Sequence, residues 1–282
     1  MGGTVKLSVI VPIGDFSLYA PCRASLQAAI APVRDEVELV EVDDSAHRGV
    51  DWARNEGLRR AKGEYVAWVD SDDEVTADWA AEIFRALESD PDLIHYSIIS
   101  EWVDQSERDR FIVPCLTEGV IDPLRLAQEV IGGYRCVWLW SCVFRRTLFA
   151  DVVFRGKYYE DYRVMREVLP KVRKAVGIRK AIYRYKRREG SLSHYGDCAA
   201  AQEAVQSIIF WTDQLHDEWV YLMRKATAQM CADLCWNGVG AYWCRSYMLR
   251  NITRIIFDFA ISWRTKAKYL LALFCIRPLG RM

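Results

Sequence analysis

Three short apolar stretches within the first 70 residues constrain this chain more than anything else in it. Lys6–Pro12 is rich in β-branched residues, while Val37–Asp43 and Tyr65–Asp70 both run into acids. Between them lie two helix-like stretches, Ser17–Ala31 and Gly49–Ala61. The order strand, helix, strand, helix, strand predicts an α/β fold: a mostly parallel central sheet with right-handed crossovers, flanked by helices. Ligands of such sheets bind beyond the carboxyl ends of the strands. Pro12, Asp43 and Asp70 stand at those ends.

Farther along, helices are predicted over Ala77–Glu88, Pro123–Ile131 and from Asp161 to Pro170. Strands are predicted over Leu93–Val103, Val137–Arg145 and Ala181–Arg187, and from Ala199 onward the pattern is helical, a C-terminal extension. The chain has 282 residues, 51% hydrophobic and 27% charged, which excludes disorder, collagen and small disulfide scaffolds. Nine cysteines, an odd number without a CxxC pair, read as reduced and mostly buried. No leader sequence is legible at the start, and the apolar run Tyr269–Ile276 is far below the ~18 to 20 residues needed to span a bilayer. These features predict a cytoplasmic protein. The net charge is zero but unevenly spread: residues 1–100 hold 9 basic and 19 acidic residues, and residues 101–200 hold 19 and 13. An acidic first third suits a metal or sugar hydroxyls, not nucleic acid.

Asp70-Ser71-Asp72-Asp73-Glu74 places four carboxylates in five residues directly after an apolar strand. Such crowding costs energy unless a cation or solvent relieves it, and hard divalent cations take oxygen ligands, so a Mg²⁺ or Mn²⁺ site follows. In extended chain Asp70 and Asp72 face one way, where they can share a metal and a diphosphate, and Asp73 faces the other. An EF-hand would need Gly at Val75 and Glu at Ala81. The bland account is a solvated turn capping the next helix. Asp43-Asp44-Ser45 closes the second strand in similar geometry, where a carboxylate can accept from a nucleobase or ribose, although Asp and Ser are also ordinary turn residues.

Glu160-Asp161 begins a helix, where carboxylates commonly cap amides; one of them is also suited to take a proton from an attacking hydroxyl. Lys186-Arg187-Arg188 is either a solvated basic face or a cradle for a departing diphosphate. Trp138 and Trp140 alternate, as core residues do and as sugar-stacking residues also do. Trp140 is the candidate acceptor contact.

Taken in order, Ser8-Val-Ile-Val-Pro12, Val42-Asp-Asp-Ser45, Ala53-Arg-Asn-x-Gly57, Ala61-Lys-Gly-Glu-Tyr65 and Val69-Asp-Ser-Asp-Asp73 resemble the GT-A glycosyltransferases of family 2. Glu160-Asp161 and Tyr183 to His194 match that family's second half, so the resemblance covers roughly residues 6–195. It implies a GT-A (Rossmann-like) domain with a nucleotide-sugar-binding half (1–115), an acceptor-binding and catalytic half (116–198) and a helical extension (199–282). It implies inverting transfer from a nucleotide-sugar, with a UDP-sugar expected, to a glycan or lipid-linked acceptor in surface polysaccharide synthesis. Asp161 is then the base and Glu160 its support. Asp44, with Asp43 less favoured, contacts the nucleobase. Asp70 and Asp72 hold ribose, metal and diphosphate, and Pro12, Asn55 and Ser71 join the donor contacts. Arg187, Arg188 and Ser191 face the pyrophosphate, and His194 is a metal or phosphate ligand. Gly14-Asp15 stands where the family usually has Tyr-Asn, and the Gly before Ser45 is missing.

Two other classes compete. A nucleotidyltransferase would carry a Gly-rich basic loop after the first strand, and Pro12-Ile-Gly-Asp-Phe16 is not one. A non-catalytic sugar-binding protein would not need the intact acidic motifs. The tail from Leu249 carries seven Arg or Lys against Asp258 alone, with aromatic residues interleaved. It fits an anionic membrane surface and an amphipathic cover for the catalytic domain equally well.

Overall fold

The computed structural model of this chain describes residues 5–103, 110–130, 139–156 and 159–188, then 242–257, 263–274 and single helical positions between 202 and 235. It divides into two compact units. Met1–Leu126, Val137–Gly156 and Glu160–His194 form the first; Ala127–Cys136, Lys157–Tyr159 and Tyr195–Met282 form the second.

The first unit is an α/β sandwich. Its opening elements are β1 (Leu7–Ile13), α1 (Phe16–Ile30), β2 (Val37–Asp43), α2 (Val50–Arg60) and β3 (Tyr65–Trp68). Next come β4 (Glu74–Val75), α3 (Trp79–Leu87), β5 (Leu93–Trp102), β6 (Phe111–Val113), β7 (Gly119–Ile121) and α4 (Pro123–Val130), which from Ala127 on is counted with the second unit. β8 (Cys142–Arg145), α5 (Glu160–Val168) and β9 (Ala175–Arg187) complete it. The main path across the sheet is β2-β1-β3-β8-β5-β9-β4. β1 runs parallel to β2 and β3, and β5 parallel to β9. The other pairings among the described residues are antiparallel, so the sheet is mixed, with its parallel character concentrated where the sequence alternation predicts it. The short strands β4, β6 and β7 went unread, because two or three residues carry no period. β9 also begins earlier than Ala181.

Alternation in β1 sends Leu7, Val9, Val11 and Ile13 into a core shared with Tyr19, Cys22 and Leu26 of α1 and Trp79, Ala80 and Ile83 of α3. The opposite face belongs to α2. A Cβ on Gly57 would stand 2.2 Å from Ile10 Cγ2, so the helix reaches the sheet only because that position has no side chain. On the same face Trp68 meets the rings of Phe144, Phe149 and Phe154 at 6.0, 5.1 and 5.5 Å, which anchors the segment leading toward α5. β1 and β2 finish together, with Asp44 N–H donating to Ile13 O at 2.8 Å.

In the second unit, α6 (Tyr242–Arg250), α7 (Ile252–Ile256) and α8 (Trp263–Phe274) are described. Tyr269 Oη donates to Met248 O at 2.7 Å and fastens α8 to α6. The six described cysteines are buried, and none of them is in a disulfide. No described helix is long and apolar enough to cross a membrane.

Candidate active site

The acidic loop after β3 is stitched to β9 from below. β4 pairs with Tyr183 and Arg184, Lys186 N–H donates to Asp73 Oδ1 at 2.8 Å, and Tyr183 Oη donates to Asp73 Oδ2 at 2.7 Å. The same phenol accepts from Asp70 N–H at 3.2 Å. Asp73 is 1% exposed, and its N–H donates to Asp70 O at 3.0 Å, so the segment is a turn and not the extended chain on which the expected alternation depended; Asp70 and Asp72 are half-buried. Burial lifts the carboxyls of Asp70, Asp72 and Asp73 above their ordinary range; Arg54 opposes the shift at Asp70, and the Asp70 charge adds to it at Asp72.

α2 joins this loop to the start of α5. Residues 51, 54 and 55 share one face of the helix, and each reaches across to the later segment. Asp51 Oδ2 accepts from Gly156 N–H at 2.9 Å. Asn55 spends its amide on Phe154, donating to the carbonyl at 2.8 Å and accepting from the N–H at 2.9 Å. Arg54, 5% exposed, pairs with Glu160 through Nη1 and lies 3.4 Å from Asp70 Oδ1 through Nη2. The charges of Glu160, Asp70 and Asp161 hold Arg54 firmly protonated against its burial. Burial pushes Glu160 up to about 7, with Arg54 opposing, and it also raises Asp161, whose Oδ1 accepts from Tyr162 N–H at 2.7 Å. The two acidic groups, 90 residues apart in sequence, thus stand around one buried guanidinium.

The structure redistributes other expected roles. Asp44 is 7% exposed, and its two carboxylate oxygens accept from Arg48 N–H at 2.8 Å and Gly49 N–H at 3.1 Å, so it closes its own loop. Asp43 is the exposed member of the pair and binds only Ser45 N–H at 2.9 Å among the bonds described, which reverses the expected preference for Asp44. Asn55 is a clamp on Phe154, not a donor contact, because both ends of its amide are used. Trp140 is 3% exposed and stacks on Tyr183 and Tyr185 at 4.6 and 5.1 Å, so it is a core residue and offers no face to a sugar ring. The strand predicted through it is a single 3₁₀ turn before β8. Arg188 reaches Asp72 at 2.7 Å, whereas Arg187 lies over Trp102 and Phe111 at 4.9 and 4.8 Å, away from its expected place at a pyrophosphate. Pro12 is half-buried in β1 opposite Val42, and Ser71 is half-buried in the acidic loop. Ser191 and His194 lie outside the described residues.

Among the described residues no three His, Cys, Asp or Glu side chains form a closed metal cage. Two raised carboxyls on one loop nevertheless fit the habit of Mg²⁺ and Mn²⁺, which bind through one or two carboxylates and complete their shell with substrate phosphates and water.

Residues 24–151 match the model of glycosyl transferase family 2. Glycosyltransferase GlyA of Streptococcus pneumoniae serotype 4 is 24% identical over 224 residues, covering 67% of this chain and 31% of GlyA, so the chain spans about a third of that relative. By structure it resembles S. aureus TarS 1–349 in complex with UDP-GlcNAc, with TM-score 0.58, 16% identity and coverage of 95% of this chain and 90% of that one. It also resembles the mannosyltransferase PcManGT of Pyrobaculum calidifontis in complex with GDP-Man and Mn²⁺, with TM-score 0.50, 16% identity and coverage of 95% and 85%. The fold is GT-A.

Three residues that shape the site escaped a functional role in the sequence. Arg54 stood inside a motif, but only the fold reveals that it faces Glu160. Tyr183 opened the stretch that resembles the family's second half, without a hint that its hydroxyl supports Asp70 and Asp73. Asp15 replaces the family's Asn and caps α1 through Ser17 N–H at 2.8 Å, which accounts for that departure.

Proposed function

We propose that this glycosyltransferase is an inverting, divalent-metal-dependent enzyme that moves a sugar from a UDP-sugar to a hydroxyl of a glycan or lipid-linked acceptor. Surface polysaccharide assembly, on the cytoplasmic side, is the setting that fits such an acceptor. The observation that carries the reading is the shared Arg54, which holds the donor-side Asp70 and the acceptor-side Glu160 in one site. Asp43 receives the nucleobase or ribose from its exposed position at the end of β2. Asp70 and Asp72 hold the metal, with His194 as a further candidate ligand, and the metal supplies charge neutralisation for the diphosphate. Arg188 moves from Asp72 to the phosphates, and Ser191 follows it in sequence toward the same group.

Asp161 accepts the proton of the acceptor hydroxyl as its oxygen bonds to the anomeric carbon. The bond from that carbon to the phosphate oxygen breaks, and its electron pair leaves with the nucleoside diphosphate. A single displacement of this kind inverts the anomeric centre. Glu160 keeps Arg54 in place and so fixes the distance between base and donor. UDP as the donor nucleotide is supported by the structural likeness to a UDP-GlcNAc-binding protein, and a metal by the likeness to one holding Mn²⁺.

The test is a panel of nucleotide-sugars assayed by nucleoside diphosphate release, with and without EDTA, on wild type and Asp72→Ala. Activity with a UDP-sugar that EDTA and Asp72→Ala both abolish is the expected result. Metal-independent turnover, equal in both proteins, would remove the Asp72 role.

A further inference from the structure

The outer face of α8 in the second unit is built unlike a water-facing helix. Its inner face is accounted for: Tyr269 and Ala272 are 0% exposed and Leu273 6%, with the Tyr269 hydroxyl bonded to Met248 O. Positions 263, 267, 270 and 271 fall within an arc of about 100° on the opposite side, where a surface helix ordinarily carries polar residues. Here they are Trp, Ala, Leu and Leu. Trp263 is 74% exposed and Leu271 53%, with Ala267 and Leu270 partly exposed between them. The helix sequence also contains Arg264, Lys266 and Lys268 and no acid.

We propose that this face of α8 docks on an anionic lipid bilayer, with Trp263 and Leu271 at headgroup depth and the cations meeting lipid phosphates. An exposed apolar stripe flanked by Lys and Arg, with Trp at one end, matches the chemistry of the membrane interface on both counts. A second copy of the chain fits less well. An isologous contact would set this cation-rich helix against its own twin and place like charges together. The inference does not rest on the proposed reaction, since none of these residues belongs to the site around Arg54.

The test is cosedimentation of the full chain with vesicles of phosphatidylcholine containing about one third phosphatidylglycerol, against phosphatidylcholine alone. Wild type should bind the anionic vesicles about tenfold more tightly or better. The double variant Trp263→Ser/Leu271→Ser should lose about tenfold of that binding, and Lys266→Gln several-fold, while nucleoside diphosphate release without vesicles stays unchanged. A second arm keeps the outcome decisive if the double variant folds poorly. Brominated lipids should quench part of the tryptophan fluorescence of wild type, and Trp263→Phe should remove the quenched part. Equal binding to both vesicle types, no binding, or quenching that survives Trp263→Phe would overturn the proposal. So would a concentration-dependent dimer that the double variant dissolves while vesicles bind neither protein.

Discussion

At the scale of single residues, the site turns on one cation. Arg54→Met leaves the buried Glu160 and the half-buried Asp70 around an apolar side chain. Breaking a buried pair in this way costs about 3–5 kcal/mol, and urea unfolding should register a loss of that order together with a collapse of turnover. Asp161→Asn keeps the shape but cannot take a proton, so kcat should fall about 10²- to 10⁴-fold with the donor KM little changed in steady-state assays. Burial pushes Glu160 up to about 7 and raises Asp161 beside it above the ordinary carboxylate range. Lowering the pH therefore protonates the base and weakens the hold on Arg54. The profile of kcat/KM should rise with pH on an acid limb displaced above the ordinary carboxylate range, and a limb within that range would contradict this account. The crowding of Asp70, Asp72 and Asp73 was legible from residue type alone, whereas the role expected of Asp161 came only from the family resemblance. Asp44, Asn55 and Trp140 were misread for a common reason. Polar and aromatic side chains in a binding motif look alike in sequence whether they face a ligand or tie down the backbone, and only the hydrogen-bond partners distinguish them.

Elements explain why those residues converge. α2 presses on β1 at Gly57 and holds Phe154, Gly156 and Glu160 through Asn55, Asp51 and Arg54, so its position sets the distance between donor and acceptor sides. Gly57→Val would drive a side chain into Ile10. Overpacking of this kind costs about 1–3 kcal/mol, and the variant should lose stability in urea and lose kcat as α2 is displaced. Trp140→Ala makes a contrasting case: loss of a buried stacked ring should cost about 3–5 kcal/mol without the selective rise in acceptor KM that a sugar-contact residue would give. The parallel half of the sheet was readable because β1, β2 and β3 each carry enough residues to show alternation and a polar end. β4, β6 and β7 were not, because very short strands take their conformation from neighbours instead of from their own pattern.

For the molecule as a whole, binding and folding are linked. A divalent cation and UDP that bind only the folded chain should raise its melting temperature, by the equivalent of ~2.7 kcal/mol at a hundredfold excess over Kd, and Asp72→Ala should lose most of the cation-dependent part in a thermal shift assay. The sequence could not divide the chain so finely, because the first unit is assembled from three separate stretches and no linker marks the seams. That interleaving bears on any attempt to build hybrids. A chimaera that takes acceptor preference from a relative by exchanging everything after Leu139 would separate Arg54, Asn55 and Asp51 from the backbone they were fitted to. Helix α2 therefore has to travel with the distant segment it holds, and recombination points belong outside that partnership, not at the midpoint of the polypeptide.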